Sequence, residues 1–182
     1  MLYIMRHGLT DWNVMHKLQG KSDIPLNEEG RRMAAAAAEE YKDFHIDVCF
    51  ASPLKRAAET AEILLKGRDV PIIKDDRLTE MGFGDYEGLE NCFEIEDCPI
   101  KLIFQKPEEY KTSIGGAETF DELFARIGDF LKEKADPLLA EGKDVLIVAH
   151  GALNSGIIAL RKNLPREKFW SSGIVQCKIM EV

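Results

Sequence analysis

The sequence predicts a three-layer α/β/α sandwich on a mostly parallel central sheet. Short apolar runs alternate with helix-forming segments along the whole chain, which is the pattern of strand-helix-strand units. One run, Val145 to Ala149, is continuously apolar, as a central parallel strand buried on both faces should be. Two of the runs end alike, in His7-Gly8 and His150-Gly151, which would set two imidazoles at one edge of one sheet.

The first strand stops abruptly at Arg6-His7-Gly8, and Thr10, Asp11, Trp12 and Asn13 follow. Residues just past such a strand end lie at the carboxyl edge of an open α/β sheet, where ligands bind. Leu18 to Asp23 is polar and turn-like. Asn27 is then a good N-cap, Glu28 and Glu29 suit the positive first turn, and an alanine-rich body carries the helix to about Phe44. Gly30 in that first turn is a propensity cost that the sequence does not explain.

Ile46 to Ala51 reads as the second strand. Ser52 at N-cap and Pro53 at the first helical position start a helix that runs to Gly67. Arg56 therefore falls in the first turn, where a cation opposes the helix dipole by roughly 0.3 to 1 kcal/mol. A solvated arginine bears that cost, whereas an anion gathered by the arginine and the free backbone N–H groups reverses its sign.

Val70 to Lys74 is the third strand, and Arg77 to Gly88 a loop whose Gly82, Gly84 and Gly88 suit tight turns near a ligand. Glu80 leads that loop; a lone carboxylate there is more often a surface residue, so its case rests on its neighbours. From Leu89 to Gly115 strand periodicity disappears and acids cluster, with one or two helical turns expected over Ile100 to Phe104. This stretch, about 89–115, reads as a cap-like insertion into one domain spanning 1–182.

Thr119 and Glu122 have capping-box spacing for a long helix with Phe120, Leu123, Phe124, Ile127 and Leu131 on one face. Pro137 should break or kink that helix before Gly142. The buried strand to Ala149 follows, then a helix from Leu153 to about Lys162, and Gly173 to Val182 closes the chain as a final strand.

Composition narrows the function classes. A net charge of -8 argues against a nucleic-acid partner, which needs a basic face, but not against a small anionic substrate held in a locally positive cleft. No apolar run approaches the ~20 residues of a membrane span, and no secretory signal is legible, so the expected location is cytoplasmic. Cys49, Cys92, Cys98 and Cys177 lack metal-binding or disulfide spacing; Cys49 and Cys177 fall in apolar runs as buried thiols.

The candidates that remain are Arg6, His7, Arg56, Glu80 and His150, all following strands. Two histidines and a glutamate are metal-ligand types, but two arginines in the same site would repel a divalent cation. Neither a metal nor another cofactor is expected. Two guanidinium forks suit a phosphoryl group, a neutral imidazole can attack phosphorus, and a glutamate can supply and recover a proton.

Arg6-His7-Gly8 with Thr10 and Asn13 in RHGxTxxN spacing, Ser52 to Ala57 with Glu59-Thr60-Ala61, Leu78-Thr79-Glu80 and Ala149-His150-Gly151 resemble the histidine phosphatase family, also called phosphoglycerate-mutase-like. The likeness runs in order over nearly the whole chain. It implies His7 as nucleophile, Glu80 as proton donor, and Arg6, Arg56 and His150 as the phosphate pocket, with Asn13, Gln19 and Gly20 as further contacts. His16 and His45 match no motif position and read as ordinary surface or core histidines.

In the family's cofactor-dependent mutases an arginine follows the catalytic glutamate, whereas Met81 stands here, and Glu80 to Gly88 resembles the phosphatase branch. Hydrolysis of a small-molecule phosphomonoester is the expected activity, by a monomer or homodimer. A phosphoglycerate mutase, an α-ribazole-phosphate phosphatase and a non-catalytic phospho-ligand-binding module are the alternatives. Trp12, Phe83, Tyr86 and the 89–115 segment are candidates for the wall facing the leaving group. Lys101, Lys106 and Lys111 read first as mostly solvated, with contact to a second anionic group as the alternative.

Overall fold

The computed structural model describes residues 1–182. Its sheet has five strands: β1 (Leu2–Arg6), β2 (Val48–Ala51), β3 (Ile72–Lys74), β4 (Val145–Ala149) and β5 (Ile179–Glu181). Their order is β3-β2-β4-β1-β5. The first four are mutually parallel, and β5 pairs antiparallel with β1 at the edge.

Every residue of β4 is buried, as its continuous apolar run requires, and alternate side chains serve opposite layers. Leu146 and Val148 face the core beneath α2 (Glu28–Glu40) and α3 (Lys55–Leu64), with Ala34, Ala37, Ala61 and Leu64. Val145, Ile147 and Ala149 face the larger core under α5 (Phe120–Phe130) and α7 (Gly151–Arg161), with Phe120, Leu123, Ile127 and Ile157. The expected three layers are therefore present.

Local signals account for most boundaries. Asn27 caps α2 through a bond from Gly30 N to its Oδ1 at 2.8 Å. Thr119 and Glu122 form the reciprocal capping box of α5. A shorter box, Thr10 with Asn13, opens the single turn α1 (Asp11–Val14). Helix α2 stops at Glu40 rather than near Phe44, and the second, third and fifth strands are shorter than their apolar runs, because only the hydrogen-bonded part of each run pairs.

Two expectations fail in informative ways. Ser52 is not the cap of α3: the N-cap position is Leu54, with no side-chain bond, and α3 ends at Leu64. The Ser52 hydroxyl pairs with His150 at 2.7 Å and accepts from Leu54 N at 3.3 Å, short of the helix, and Pro53 lies outside it. Pro137 does not break the helical rod either. A π-helical turn, Leu131–Ala135, joins α5 to α6 (Asp136–Ala140), and Pro137 falls in the first turn of α6, where its missing N–H costs least.

The 89–115 stretch contains α4 (Lys101–Gln105) and is otherwise irregular. It is no solvated excursion, because Ile100, Ile103 and Tyr110 are fully buried in the larger core. All four cysteines are free and buried; burial pushes the Cys49 thiol up to about 12 and the Cys177 thiol to about 11. No helix is long and apolar enough to cross a membrane.

Candidate active site

Parallel pairing of β1 with β4 places Arg6 opposite Ala149, so the two His-Gly turns leave the sheet side by side. His7 N donates to Ala149 O at 3.0 Å, and the His7 and His150 rings lie 5.2 Å apart between centroids. Gly8 N donates to Thr60 Oγ1 at 3.1 Å, which ties the first turn to α3. Gly8 also packs on Gly30: a Cβ on Gly8 would stand 2.6 Å from Gly30 O, and one on Gly30 would stand 2.1 Å from Leu9 O. Gly30 is thus the residue that lets α2 touch the histidine turn, which accounts for its helix-propensity cost.

The imidazoles are bonded differently. His7 Nδ1 lies 2.6 Å from Gly8 O. A carbonyl only accepts, so Nδ1 carries the proton and Nε2 keeps a free lone pair. His150 bonds through Nε2 to Ser52 Oγ at 2.7 Å, and its buried Nδ1 has no partner. Burial holds both rings well below the ordinary histidine value, and the Arg56 and Arg6 charges push in the same direction. Both are therefore neutral at neutral pH.

Arg56 is completely buried. Its Nη1 donates to Ser22 O and its Nη2 to Gly20 O, each at 2.7 Å, and its Nε has no partner. Arg6 Nε is likewise buried and unpartnered. Burial lowers both guanidinium groups from their ordinary value while the Glu80 carboxylate opposes it, and both remain cations. Buried, unpartnered Nε donors on two neighbouring guanidinium groups are suited to binding an anion.

Glu80 Oε1 accepts from Met81 N at 2.9 Å and Leu153 N at 3.0 Å, and Oε2 from Ala152 N at 3.1 Å. The carboxylate is thus docked on the amino end of α7, beside the second His-Gly turn. The cleft, about 190 Å³, is lined by Arg6, His7, Asn13, Gln19, Gly20, Arg56 and Glu80, while His150 sits buried behind the lining against His7. Gln19 Oε1 and Asn13 Oδ1 lie 2.9 and 3.1 Å from the Thr10 hydroxyl, which orients both amides.

Sequence reasoning missed three residues, Arg126, Trp170 and Lys17. Arg126 on α5 gathers the carbonyls of Arg77, Thr79 and Glu80 at 2.6, 2.7 and 3.1 Å, and pairs with Glu118 at 2.6 Å. It fixes the backbone that presents Glu80, and its only signal is that it is the lone base in FDELFARIGDF. Phe83 and Phe104, the latter in the 89–115 segment, wall the cleft as expected, and the unforeseen Trp170 stacks on Phe104 at 5.2 Å to complete that apolar side. Lys17 is the cation at that rim. Lys101 and Lys106 are bonded elsewhere, to Ile95 O and Glu109, and with Lys111 lie outside the cleft, in line with the solvated reading rather than with contact to a second anionic group. Trp12 and Tyr86 do not line the cleft, and Met81 is fully buried in the core.

Residues 2–182 match the family model of the histidine phosphatase superfamily (branch 1). An uncharacterized phosphatase, PhoE, of Bacillus subtilis is 41% identical over 152 residues, covering 82% of this chain and 70% of that protein. A 2,3-bisphosphoglycerate-dependent phosphoglycerate mutase of Cytophaga hutchinsonii is 33% identical over 170 residues, covering 92% and 80%. The solved structure of Bacillus stearothermophilus YhfR superposes with a TM-score of 0.86 at 34% identity, covering 100% of this chain and 90% of that one.

Proposed function

The chain belongs to the histidine phosphatase superfamily, and from that premise we propose that it is a metal-independent phosphatase of small-molecule phosphomonoesters, with His7 as nucleophile. The observation that carries this reading is the single orientation of His7. With Nδ1–H given to Gly8 O, the Nε2 lone pair faces a site whose charge is supplied by Arg6 and Arg56. Burial keeps that lone pair unprotonated.

The proposed cycle begins once the Glu80 carboxylate has taken up a proton: Nε2 attacks phosphorus, the ester P–O bond breaks, and the leaving alkoxide takes that proton from Glu80. Arg6, Arg56 and His150 hold the equatorial oxygens, where negative charge gathers. Glu80, now a carboxylate, takes a proton from water, which attacks the phosphohistidine and releases inorganic phosphate. His7 returns neutral and Glu80 protonated, so the cycle closes.

The relatives include both a phosphatase and a mutase, and one observation favours the former. The residue after Glu80 is Met81, buried in the core, so the loop supplies no cation for a second anionic group. The test is release of phosphate from an aryl phosphate in the presence of a chelator, with 3-phosphoglycerate isomerisation assayed in parallel. Phosphate release that His7→Ala abolishes is the expected result. Robust isomerisation would establish the mutase, and binding of phosphate with no turnover of any ester would establish a binding module.

A further inference from the structure

The cleft does not end at its aromatic side. It shares Asn13, Lys17 and Leu18 with a larger groove of about 390 Å³, walled by Trp12, His16, Asn91, Phe93 and Glu94. At about 190 Å³ the cleft itself is smaller than the roughly 300 to 1,000 Å³ of sites that enclose whole ligands, so most of a leaving group must lie outside it.

The groove is built rather than incidental. Backbone bonds from Leu18 N to Leu89 O, Gly88 N to Leu18 O and Asn91 N to His16 O, all between 2.8 and 3.0 Å, stitch its two walls together. His16 and Asn91 meet at that seam with φ of 52° and 51°, the left-handed region that a side-chain-bearing residue enters at a cost. Phe93 stands 56% exposed, a large uncovered aromatic beside a reactive centre. The Lys17 ammonium lies 6.0 Å from the Trp12 ring centroid, between groove and cleft.

We propose that this groove is the leaving-group subsite, taking a flat, uncharged ring with hydrogen-bonding edges, joined to the reacting phosphate through a short polar spacer. The proposal rests on the phosphatase reading above. Trp12 and Phe93 supply apolar faces for the ring, and Asn91 and Glu94 supply edge partners. Lys17 lies where the spacer would cross.

A matched pair of probes tests it: adenosine 5′-monophosphate and ribose 5-phosphate, which share phosphate and sugar and differ only in the ring. The wild-type protein should favour the ring-bearing probe in kcat/KM by roughly tenfold, mostly through KM. That ratio should fall towards unity in both Phe93→Ala and Trp12→Ala. Trp12 touches Gly88 and Phe93 packs edge-on against Phe104 at 5.2 Å between centroids, so unchanged cleavage of ribose 5-phosphate in each variant is the control that the cleft itself is intact. A ratio unchanged in Phe93→Ala, or a wild type that cleaves an aryl phosphate but shows no preference within the pair, overturns the subsite and leaves the phosphatase standing. A wild type that releases phosphate from no ester overturns both.

Discussion

The two strand-to-histidine turns share a sheet edge, a His-Gly sequence, deep burial and a neutral ring, yet they are wired in opposite senses. The first turn, after β1, is clamped from behind: His7 Nδ1 is committed to Gly8 O, and Gly8 to Thr60 and Gly30. The second, after β4, is braced through its Nε2 by Ser52 and leaves Nδ1 buried without a partner. Two imidazoles of equal sequence context are thus left with different free nitrogens, Nε2 on His7 through a bond to the next residue and Nδ1 on His150 through a bond to Ser52, 98 residues away, and the proposed roles of nucleophile and oxygen-binding neighbour rest on that difference.

Replacing each histidine separates these roles most sharply. His7→Ala should lose at least about 10⁴-fold in turnover and form no phosphoenzyme. His150→Ala should lose about 10² to 10³-fold, the scale of one donor to transition-state charge, and should still form a phosphoenzyme. Rapid quench with labelled substrate under alkaline conditions, which preserve phosphohistidine, distinguishes them. Phosphoenzyme in His7→Ala, or its absence in His150→Ala alone, would exchange the assignments.

Acidification is the next largest effect, and both turns should contribute equally to it. Burial holds both rings well below the ordinary value of 6.5, so the folded protein stays unprotonated where the unfolded chain takes up protons. Stability should be complete above about pH 7 and fall as pH drops below the unfolded value, by up to about 2.7 kcal/mol per pH unit for the two groups. Asp47 and Asp75 are held below their ordinary values and titrate only in more acid solution. Urea denaturation at several pH values should show the slope halved in either alanine variant, whereas an unchanged slope would mean that histidine carries a proton in the fold. The kcat/KM profile should likewise cross pH 6.5 without the limb of an ordinary imidazole.

The same contrast marks what the chain discloses before it folds. The Arg6-His7-Gly8 turn, the five-residue interior strand β4 and the Thr119–Glu122 box are local patterns, and each appears where its residues place it. Ser52 misleads because a serine before a proline and a helix has the residue types of a cap, while its hydroxyl is claimed by a histidine 98 residues away. Gly30 is unexplained until α2 meets the loop after β1. Arg126 and the Phe104–Trp170 stack depend on side-chain meetings across 46 and 66 positions, which no local periodicity encodes. Pro137 misleads for another reason, since it falls in the first turn of a helical segment that a π turn joins to α5.

Glycine substitution gives the smallest effect and tests the packing difference directly. A methyl group on Gly30 would meet Leu9 backbone at 2.1 Å, and one on Gly8 would meet Gly30 O at 2.6 Å, so α2 and the first turn must separate. Gly30→Ala should therefore cost about 1 to 3 kcal/mol despite the helix propensity gained. On Gly151 the nearest atom to such a methyl is Arg6 Cζ at 3.7 Å, an ordinary contact, and Gly151→Ala should stay within about 0.5 kcal/mol of wild type in chemical denaturation. Because Gly8 and Gly30 share one contact, the double variant should cost less than its two parts, since a single displacement of α2 relieves both clashes. Equal losses in Gly30→Ala and Gly151→Ala would mean that the second turn is packed as tightly as the first, and the difference between them would then rest on hydrogen bonding alone.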